Sequence, residues 1–283
     1  MVIGNALGAK NMIKLSTMVR ENPDASLESL IERAYVMGLD MVDIHVGGLS
    51  RDPDYLRRIK LLCMNKGLPI GYLGSGGGFV GTPEDVRTQI EQAKADVDAA
   101  VFLGAPLIRL MSGRVLDTIE NAEKVWSDIV SSFQEVADYA LPRGITLGVQ
   151  NHPPPAAPRG EDIIRMIQEV NRENISHIMD TGQWWGSIGA DPRGEFDPDV
   201  DIYAYMEQTA PYASCVRAKI YKIDSGREEW IDYGRVMKIL QEIEYNGAMC
   251  ICFEGQGNKY DEDECMRLAV RHLRDTISAN IAV

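Results

Sequence analysis

Polar side chains that could do acid–base chemistry stand at the ends of four apolar, β-rich runs in the second half of the chain. The runs are ITLGVQ, SHIMD, CVRAKIY and AMCICFE, and they deliver Gln150 with His152, Asp180, Arg217 with Lys219, and Glu254. Because side chains alternate along a strand, Gln150 and His152 are expected on one face, as are Arg217 and Lys219. One such residue is more often a solvated charge or a helix cap. Four successive strands that end this way predict a functional site, since buried charges are costly unless paired or used.

Eight β-rich runs, each followed by a helical pattern, must position these side chains. The strands are predicted at 13–18, 41–46, 69–74, 106–111, 145–150, 176–180, 215–221 and 248–254. Ser26 and the pair Thr82–Pro83 are typical of helix starts, and Gly38 is typical of a helix end. Strands that alternate with helices imply parallel pairing, with the strands buried on both faces.

Eight units of this kind predict an α/β fold, a (β/α)8 TIM barrel of about 250 residues whose active site lies at the carboxyl ends of the strands. A doubly wound open sheet is the alternative, but it needs a G-x-G-x-x-G fingerprint, and GSGGG at 74–78 lacks that spacing. GSGGG is instead interpreted as a flexible loop over the site. No linker or low-complexity segment interrupts the pattern, so residues 1–283 are predicted to form one domain.

Composition restricts the partners and the compartment. The net charge of −13 disfavours nucleic acid, and no apolar run reaches the roughly 18 residues of a membrane span. The N-terminus lacks the apolar core of a signal peptide, so a cytoplasmic protein is expected. Five scattered cysteines without C-x-x-C indicate reduced thiols, and Cys250 and Cys252 are expected in the core.

Five stretches of the second half resemble the xylose isomerase-like TIM barrels, a family of sugar isomerases, sugar epimerases, inosose dehydratases and endonuclease IV. The stretches are GVQNH, IMDTGQ, VRAKIY, IDYGRVMKIL and CFEGQG. KLST, GLDMVDIH and LGAPLIRLMSG match more loosely, so the resemblance covers nearly the whole chain. It implies a small-molecule sugar or sugar derivative as substrate and no nucleotide cofactor. Endonuclease-like repair is disfavoured because it needs a histidine-rich cluster, and this chain has 4 histidines.

The resemblance also implies one divalent metal, usually manganese or magnesium, held by a glutamate, an aspartate, a histidine and a glutamate. By position, those ligands are Gln150, Asp180, Arg217 and Glu254, so two match and two depart. One interpretation is a metal-free site in which Arg217 replaces the ion, because a guanidinium has only donors and can hold two carboxylates. The other retains a metal on Gln150, Asp180 and Glu254, with His152 as a further ligand and Arg217 directed at substrate.

Members of the family move protons next to a carbonyl, which implies roles for several residues. His152, with an unperturbed pKa of about 6.5, is the first acid–base candidate and Glu254 the second, while Lys219 or Arg217 would stabilise the oxyanion. The first hypothesis is therefore a sugar isomerase or epimerase. The alternatives are a lyase or dehydratase that performs β-elimination, and an inactive barrel that binds a sugar or supports a partner subunit. The substrate, and whether the chain forms a homo-oligomer, are left open.

Loop residues after the strands complete the predicted site. Trp184 and Trp185 could stack on a sugar ring or be buried under the loop after strand six. Gln183, which replaces a histidine often found in the family, and Gln256 are further candidates for substrate binding. The prolines at 153–155 are expected to stiffen the wall of the site, because each fixes its own φ and restricts the preceding residue.

Overall fold

Eight parallel strands close into a barrel in the computed structural model, which describes residues 13–113, 121–152, 157–190, 196–255 and 257–281. The strands are β1 (Lys14–Val19), β2 (Val42–His45), β3 (Ile70–Gly74), β4 (Leu107–Met111), β5 (Thr146–Gln150), β6 (Ile175–Asp180), β7 (Ala213–Ile220) and β8 (Ala248–Phe253). Each strand pairs with the next in sequence, and β8 closes on β1 with Lys14 opposite Ala248. The predicted TIM barrel is confirmed, and the open sheet is excluded.

A helix follows each strand. The helices are α1 (Leu27–Val36), α2 (Pro53–Lys66), α3 (Pro83–Leu103), α4 (Ala122–Ala140), α5 (Gly160–Val170), α6 (Ile202–Thr209), α7 (Tyr233–Glu242) and α8 (Glu262–Ile281). The start signals act as predicted: Ser26 caps α1, and Thr82 forms a capping box with Asp85 at the start of α3. None of the helices in the described ranges is long and apolar enough to cross a membrane.

Buried side chains fill part of the interior of the barrel. A cluster of six buried residues occupies it: Tyr72, Leu107, Ile178, Cys215, Cys250 and Cys252. Gly148 on β5 has no room for a side chain, because a Cβ there would lie 2.5 Å from Ile178 Cγ1. All five cysteines are free thiols, as the sequence predicts, and all five are buried, which the sequence predicts only for Cys250 and Cys252. The packed interior places any reactive group at the strand ends.

The glycine-rich segment 74–78 is anchored at its far end. The amides of Gly78 and Phe79 donate hydrogen bonds of 3.0 and 2.7 Å to Gln89 Oε1 on α3. A Cβ on Gly78 would lie 2.7 Å from Gly113 Cα, so the two chain segments touch backbone to backbone. The prediction of a flexible cover is therefore corrected at this end, where close packing and hydrogen bonds fix the segment.

Candidate active site

A continuous network of polar side chains crosses the barrel at the carboxyl ends of β4 to β8. Arg109 Nη1 donates to Gln150 Oε1 at 3.1 Å, and Gln150 Nε2 donates to Asp180 Oδ2 at 2.9 Å. Arg217 Nε donates to the same carboxylate oxygen at 3.2 Å. Lys219 Nζ lies 3.8 Å from it and forms an ion pair with Glu254, which follows β8. The structure thus brings Gln150, Asp180, Arg217, Lys219 and Glu254 together, as the strand-end pattern predicts.

The amide of Gln150 has only one orientation that satisfies both neighbours. The guanidinium of Arg109 only donates, so it must meet the amide oxygen, and the carboxylate of Asp180 only accepts, so it must meet the amide nitrogen. Gln150 is 1% exposed. Its oxygen is therefore already committed to a cation within the network.

Asp180 is held rigidly at the end of β6. Its side chain is fully buried, and Oδ1 accepts a hydrogen bond of 3.1 Å from the amide of Gly182. Asn151, on the opposite face from Gln150, accepts from the Asp180 amide at 2.8 Å and donates to the Asp180 carbonyl at 2.9 Å. These bonds fasten the end of β5 to the end of β6, so the carboxylate is fixed in advance.

Two cationic side chains of β7 lie beside the buried carboxylate of Asp180. Arg217 and Lys219 occupy one face of β7, opposite Cys250 and Cys252 of β8. Burial works against a charged Lys219, yet the attraction of Asp180 outweighs it, and the pKa of Lys219 lies above its ordinary value. Lys219 is therefore an ammonium that lies between Asp180 and Glu254.

Tyr72 and Arg109 belong to the network but were missed by the strand-end pattern. Arg217 Nη1 donates to Tyr72 Oη at 2.6 Å, and burial raises the pKa of Tyr72 well above its usual value, so its phenol stays protonated. Arg109 also donates from Nη2 to the Ser75 carbonyl at 3.3 Å. The available signal was a charged residue within the otherwise apolar run PLIRLM.

Asp43 and His45, on β2, add two perturbed groups beside this network. Burial raises the pKa of Asp43 to about 6, although Ser16 Oγ donates to it at 2.5 Å and the Tyr72 amide at 3.0 Å. Burial, together with the charge of Arg109, lowers the pKa of His45 to about 4. His45 is therefore a neutral imidazole at pH 7.

A cavity of about 370 Å³ opens beside the ends of β1, β2 and β8. Its lining includes His45, Arg217, Cys252 and Glu254, so the network is open to a small molecule on this side. The side chain of Glu254 is 32% exposed, whereas that of Lys219 is 6% exposed. Within the network, Glu254 is thus the carboxylate that a ligand in the cavity can reach.

Cys252 is the thiol nearest the cavity. Its Sγ lies 3.8 Å from Cys250 Sγ, and this hydrogen bond lowers the pKa of Cys252, with help from the charges of Arg217 and Lys219. The sequence predicts both cysteines as core packing. The structure agrees for both, since Cys250 is 0% and Cys252 is 8% exposed and both belong to the buried cluster inside the barrel; Cys252 also lines the cavity.

The structure places the other predicted site residues in different environments. His152 lies two residues beyond β5 and is partly buried, while Gln183 is 1% exposed. Trp184 is 0% exposed and packs against His177 and Tyr205, with ring centroids 5.9 and 5.6 Å away. Its predicted role as a stacking platform is corrected, because protein atoms already cover the ring.

Trp185, by contrast, is 43% exposed, and the Arg159 guanidinium lies 5.1 Å from the centre of its ring. It stays a candidate for contact with substrate. The prolines at 153–155, and Gln256, lie outside the described residues.

The family model for xylose isomerase-like TIM barrels matches residues 31–276 of this sequence. The chain belongs to the xylose isomerase-like TIM barrel family. No curated protein matches it significantly.

Several solved structures share the fold of this xylose isomerase-like barrel. D-psicose 3-epimerase from Clostridium cellulolyticum H10 has a TM-score of 0.74 and 16% identity, with 94% of this chain and 99% of that chain covered. The 3-keto-D-glucoside 4-epimerase from E. coli has a TM-score of 0.74 and 14% identity, with 93% and 99% covered. A xylose isomerase domain protein from Planctomyces limnophilus has a TM-score of 0.72 and 16% identity, with 97% and 100% covered. The TM-scores show that the fold is shared, and at identities of 14–16% the likeness shows the fold alone.

The divalent metal implied by the family resemblance does not fit the residues present. Asp180 Oδ2 faces the Gln150 amide nitrogen, the Arg217 guanidinium and the Lys219 ammonium, none of which can ligate a cation. Within the described ranges, no group of three His, Cys, Asp or Glu side chains could hold a metal ion. Of the predicted ligands, Gln150 donates directly to Asp180, and Lys219 lies between Asp180 and Glu254.

His177 predicts how this barrel responds to acid. It is fully buried on β6, its Nδ1 donates to the Val149 carbonyl at 2.8 Å, and burial lowers its pKa to about 4. Between pH 6.5 and 4 the unfolded chain binds this proton and the folded chain does not. The contribution of His177 to the free energy of unfolding is therefore fully present above pH 6.5. It is lost as pH falls toward 4, and the total loss is up to about 3 kcal/mol.

We expect His177→Gln, which keeps a donor for the carbonyl, to remove this part of the pH dependence. Urea denaturation at pH 7.0 and 4.5 measures it, as the difference between wild type and variant. Other groups contribute equally to the pH dependence of both proteins and cancel in that difference. Asp43 is one of them: its raised pKa makes stability rise as pH falls, opposite to the effect of His177. Equal acid sensitivity of the two proteins would refute the assignment.

Proposed function

We propose that this barrel is a carbohydrate-active isomerase or epimerase that transfers a proton next to the carbonyl of a keto-sugar or sugar derivative. The observation that carries the proposal is the ion pair of Lys219 and Glu254 at the edge of the cavity. It places a reachable carboxylate beside a buried ammonium. The names of the solved relatives, D-psicose 3-epimerase and 3-keto-D-glucoside 4-epimerase, support the choice of substrate class.

Glu254 is the proposed base. Its carboxylate takes a proton from the carbon next to the carbonyl, so the C–H bond breaks and an O–H bond forms on Glu254. The electron pair of the C–H bond moves to the carbonyl oxygen and gives an enediolate. Its partial exposure allows it to meet substrate directly.

Lys219 and Arg217 are the proposed stabilisers of the enediolate oxygen. Both are positively charged and buried, and Asp180 holds them both, so little reorganisation is needed when the negative charge develops. Return of the proton to the former carbonyl carbon, with transfer of the hydroxyl proton from the neighbouring oxygen to the enediolate oxygen, gives an isomer. Return of a proton to the opposite face of the original carbon gives an epimer. An epimerase needs an acid on that second face, and His152, after β5, is the proposed group.

A lyase would begin with the same proton abstraction and would then expel a β-substituent. The two reactions therefore share the roles of Glu254, Lys219 and Arg217, and they differ in the product. One feature supports the lyase as the second candidate: Arg217 and Lys219 lie beside Asp180, where the family resemblance implies a metal. This departure from the implied ligand set suits a reaction other than simple isomerisation.

Solvent isotope exchange tests the proposal. The purified protein is incubated in D2O with psicose, ribulose and a 3-keto-glucoside, and the products are analysed by NMR and mass spectrometry. We expect deuterium at the carbon next to the carbonyl, together with an isomeric sugar. Release of an aglycone or a new enone absorbance would assign the lyase instead. Absence of exchange on all three sugars would overturn the proposal in favour of a binding role.

A further inference from the structure

The guanidinium of Arg217 occupies the centre of the network at the barrel mouth. Its Nε donates to Asp180 Oδ2 at 3.2 Å, and its Nη1 donates to Tyr72 Oη at 2.6 Å. The side chain is 9% exposed and lines the cavity. Two of its three nitrogen atoms are thus fixed by protein in a position that a small molecule can approach.

We propose that Arg217 is a built-in electrophile that replaces a divalent metal, so that the site binds the substrate oxygen through a guanidinium and operates without a metal ion. Nη2 makes no hydrogen bond to the residues that the structure describes. It is therefore the donor available to an oxygen in the cavity. The catalytic part of this inference depends on the proposed function, whereas the exclusion of a metal does not.

The charge balance of the network supports this replacement. Asp180 and Glu254 contribute two negative charges, which Arg217 and Lys219 already balance, and the guanidinium of Arg109 adds a third positive charge. A divalent ion at Asp180 would lie next to a guanidinium and an ammonium and would raise the excess in the network to three positive charges. Repulsion of like charges at such short range strongly disfavours its binding.

The hydrogen bonds of Gln150 point to the same conclusion. The amide oxygen, which is the only atom of this side chain that can ligate a hard cation, is committed to Arg109 at 3.1 Å. The amide nitrogen faces Asp180 at 2.9 Å. A metal would have to break the bond to Arg109, rotate the amide and displace Arg217. Gln150 and Arg217 are the two departures from the ligand set that the family resemblance implies. Both place hydrogen-bond donors against Asp180, so both work against a metal there.

Titration with Mn²⁺ alone tests the exclusion of metal, with no need for an active enzyme. Isothermal titration calorimetry and elemental analysis after dialysis are applied to the wild type and to the double variant Gln150→Glu with Arg217→His. We expect no stoichiometric Mn²⁺ binding by the wild type. The double variant restores the two departed ligands and should gain one Mn²⁺ per chain.

The wild-type titration is decisive by itself if the double variant fails to fold. One Mn²⁺ bound per wild-type chain, and lost in Asp180→Asn, would overturn the proposal. The electrophile role is tested separately in the exchange assay, where EDTA should have no effect and Arg217→Lys should slow exchange by about 10²-fold. Exchange abolished by EDTA would refute metal-free chemistry. An inactive protein that binds no Mn²⁺ would refute the proposed function but leave the metal exclusion standing.

Discussion

Glu254→Gln is expected to slow deuterium exchange into a keto-sugar by about 10²–10⁴-fold, the usual contribution of a general base. The amide cannot accept the proton from carbon, although it has nearly the same shape and can still accept a hydrogen bond from Lys219. The variant should therefore fold normally and still bind the sugar. The measurement is the initial rate of deuterium incorporation in D2O, followed by mass spectrometry at saturating sugar.

Glu135→Gln provides the matched control. Glu135 lies on the outer helix α4 and does not line the cavity, its side chain is 39% exposed, and it pairs with Lys94 at 2.7 Å and with Arg87 at 2.5 Å. The substitution thus removes a charge from a glutamate of similar exposure that is also paired with a lysine. We expect it to leave the exchange rate unchanged. A full rate in Glu254→Gln, or an equal loss in the control, would show that Glu254 is not the base.

The barrel and the position of its site could be predicted from sequence because both depend on regular patterns. Repeated strands and helices fix the topology, and the topology then fixes which strand ends are neighbours. Side-chain alternation correctly placed Arg217 and Lys219 on one face of β7. These inferences need no knowledge of how individual side chains pack.

The details that decide the chemistry depend on contacts between distant residues. The hydrogen bond between Arg109 and Gln150 joins β4 to β5, and the bond from Arg217 to Tyr72 joins residues that are 145 positions apart in the sequence. No local pattern reports such contacts. Trp184 shows the same limit, because its type suits both stacking on a sugar and burial, and only its packing against His177 decides between them.

The pairing of Asp180 with two buried cations also has a consequence for stability that is separate from catalysis. Asp180 is fully buried, and the side chains of Arg217 and Lys219 are only 9% and 6% exposed. If this carboxylate is removed, Lys219 keeps Glu254 as a counter-ion, whereas Arg217 has no other carboxylate partner among the described residues and is only partly open to water through the cavity. In a network of this kind, the cost of losing one charge is the cost of leaving another charge buried without a counter-ion.

Asp180→Ala is accordingly expected to destabilise the fold by about 3–5 kcal/mol. Guanidinium denaturation followed by circular dichroism measures the change. Asp138→Ala is the control: Asp138 pairs with Arg172 at the surface, its side chain is 56% exposed, and its loss should cost less than about 1 kcal/mol.

A second substitution separates the buried charge from other effects of the alanine, such as the lost hydrogen bond from Gly182. Asp180→Ala combined with Arg217→Met removes the carboxylate and one of its two cations, and the methionine fills part of the vacated volume. If an unpaired cation is the main cost, the double variant should be more stable than Asp180→Ala alone, although it carries an additional core substitution. If the two losses simply add, the destabilisation comes from the hydrogen bonds that fasten β6, and the network is not held together by charge.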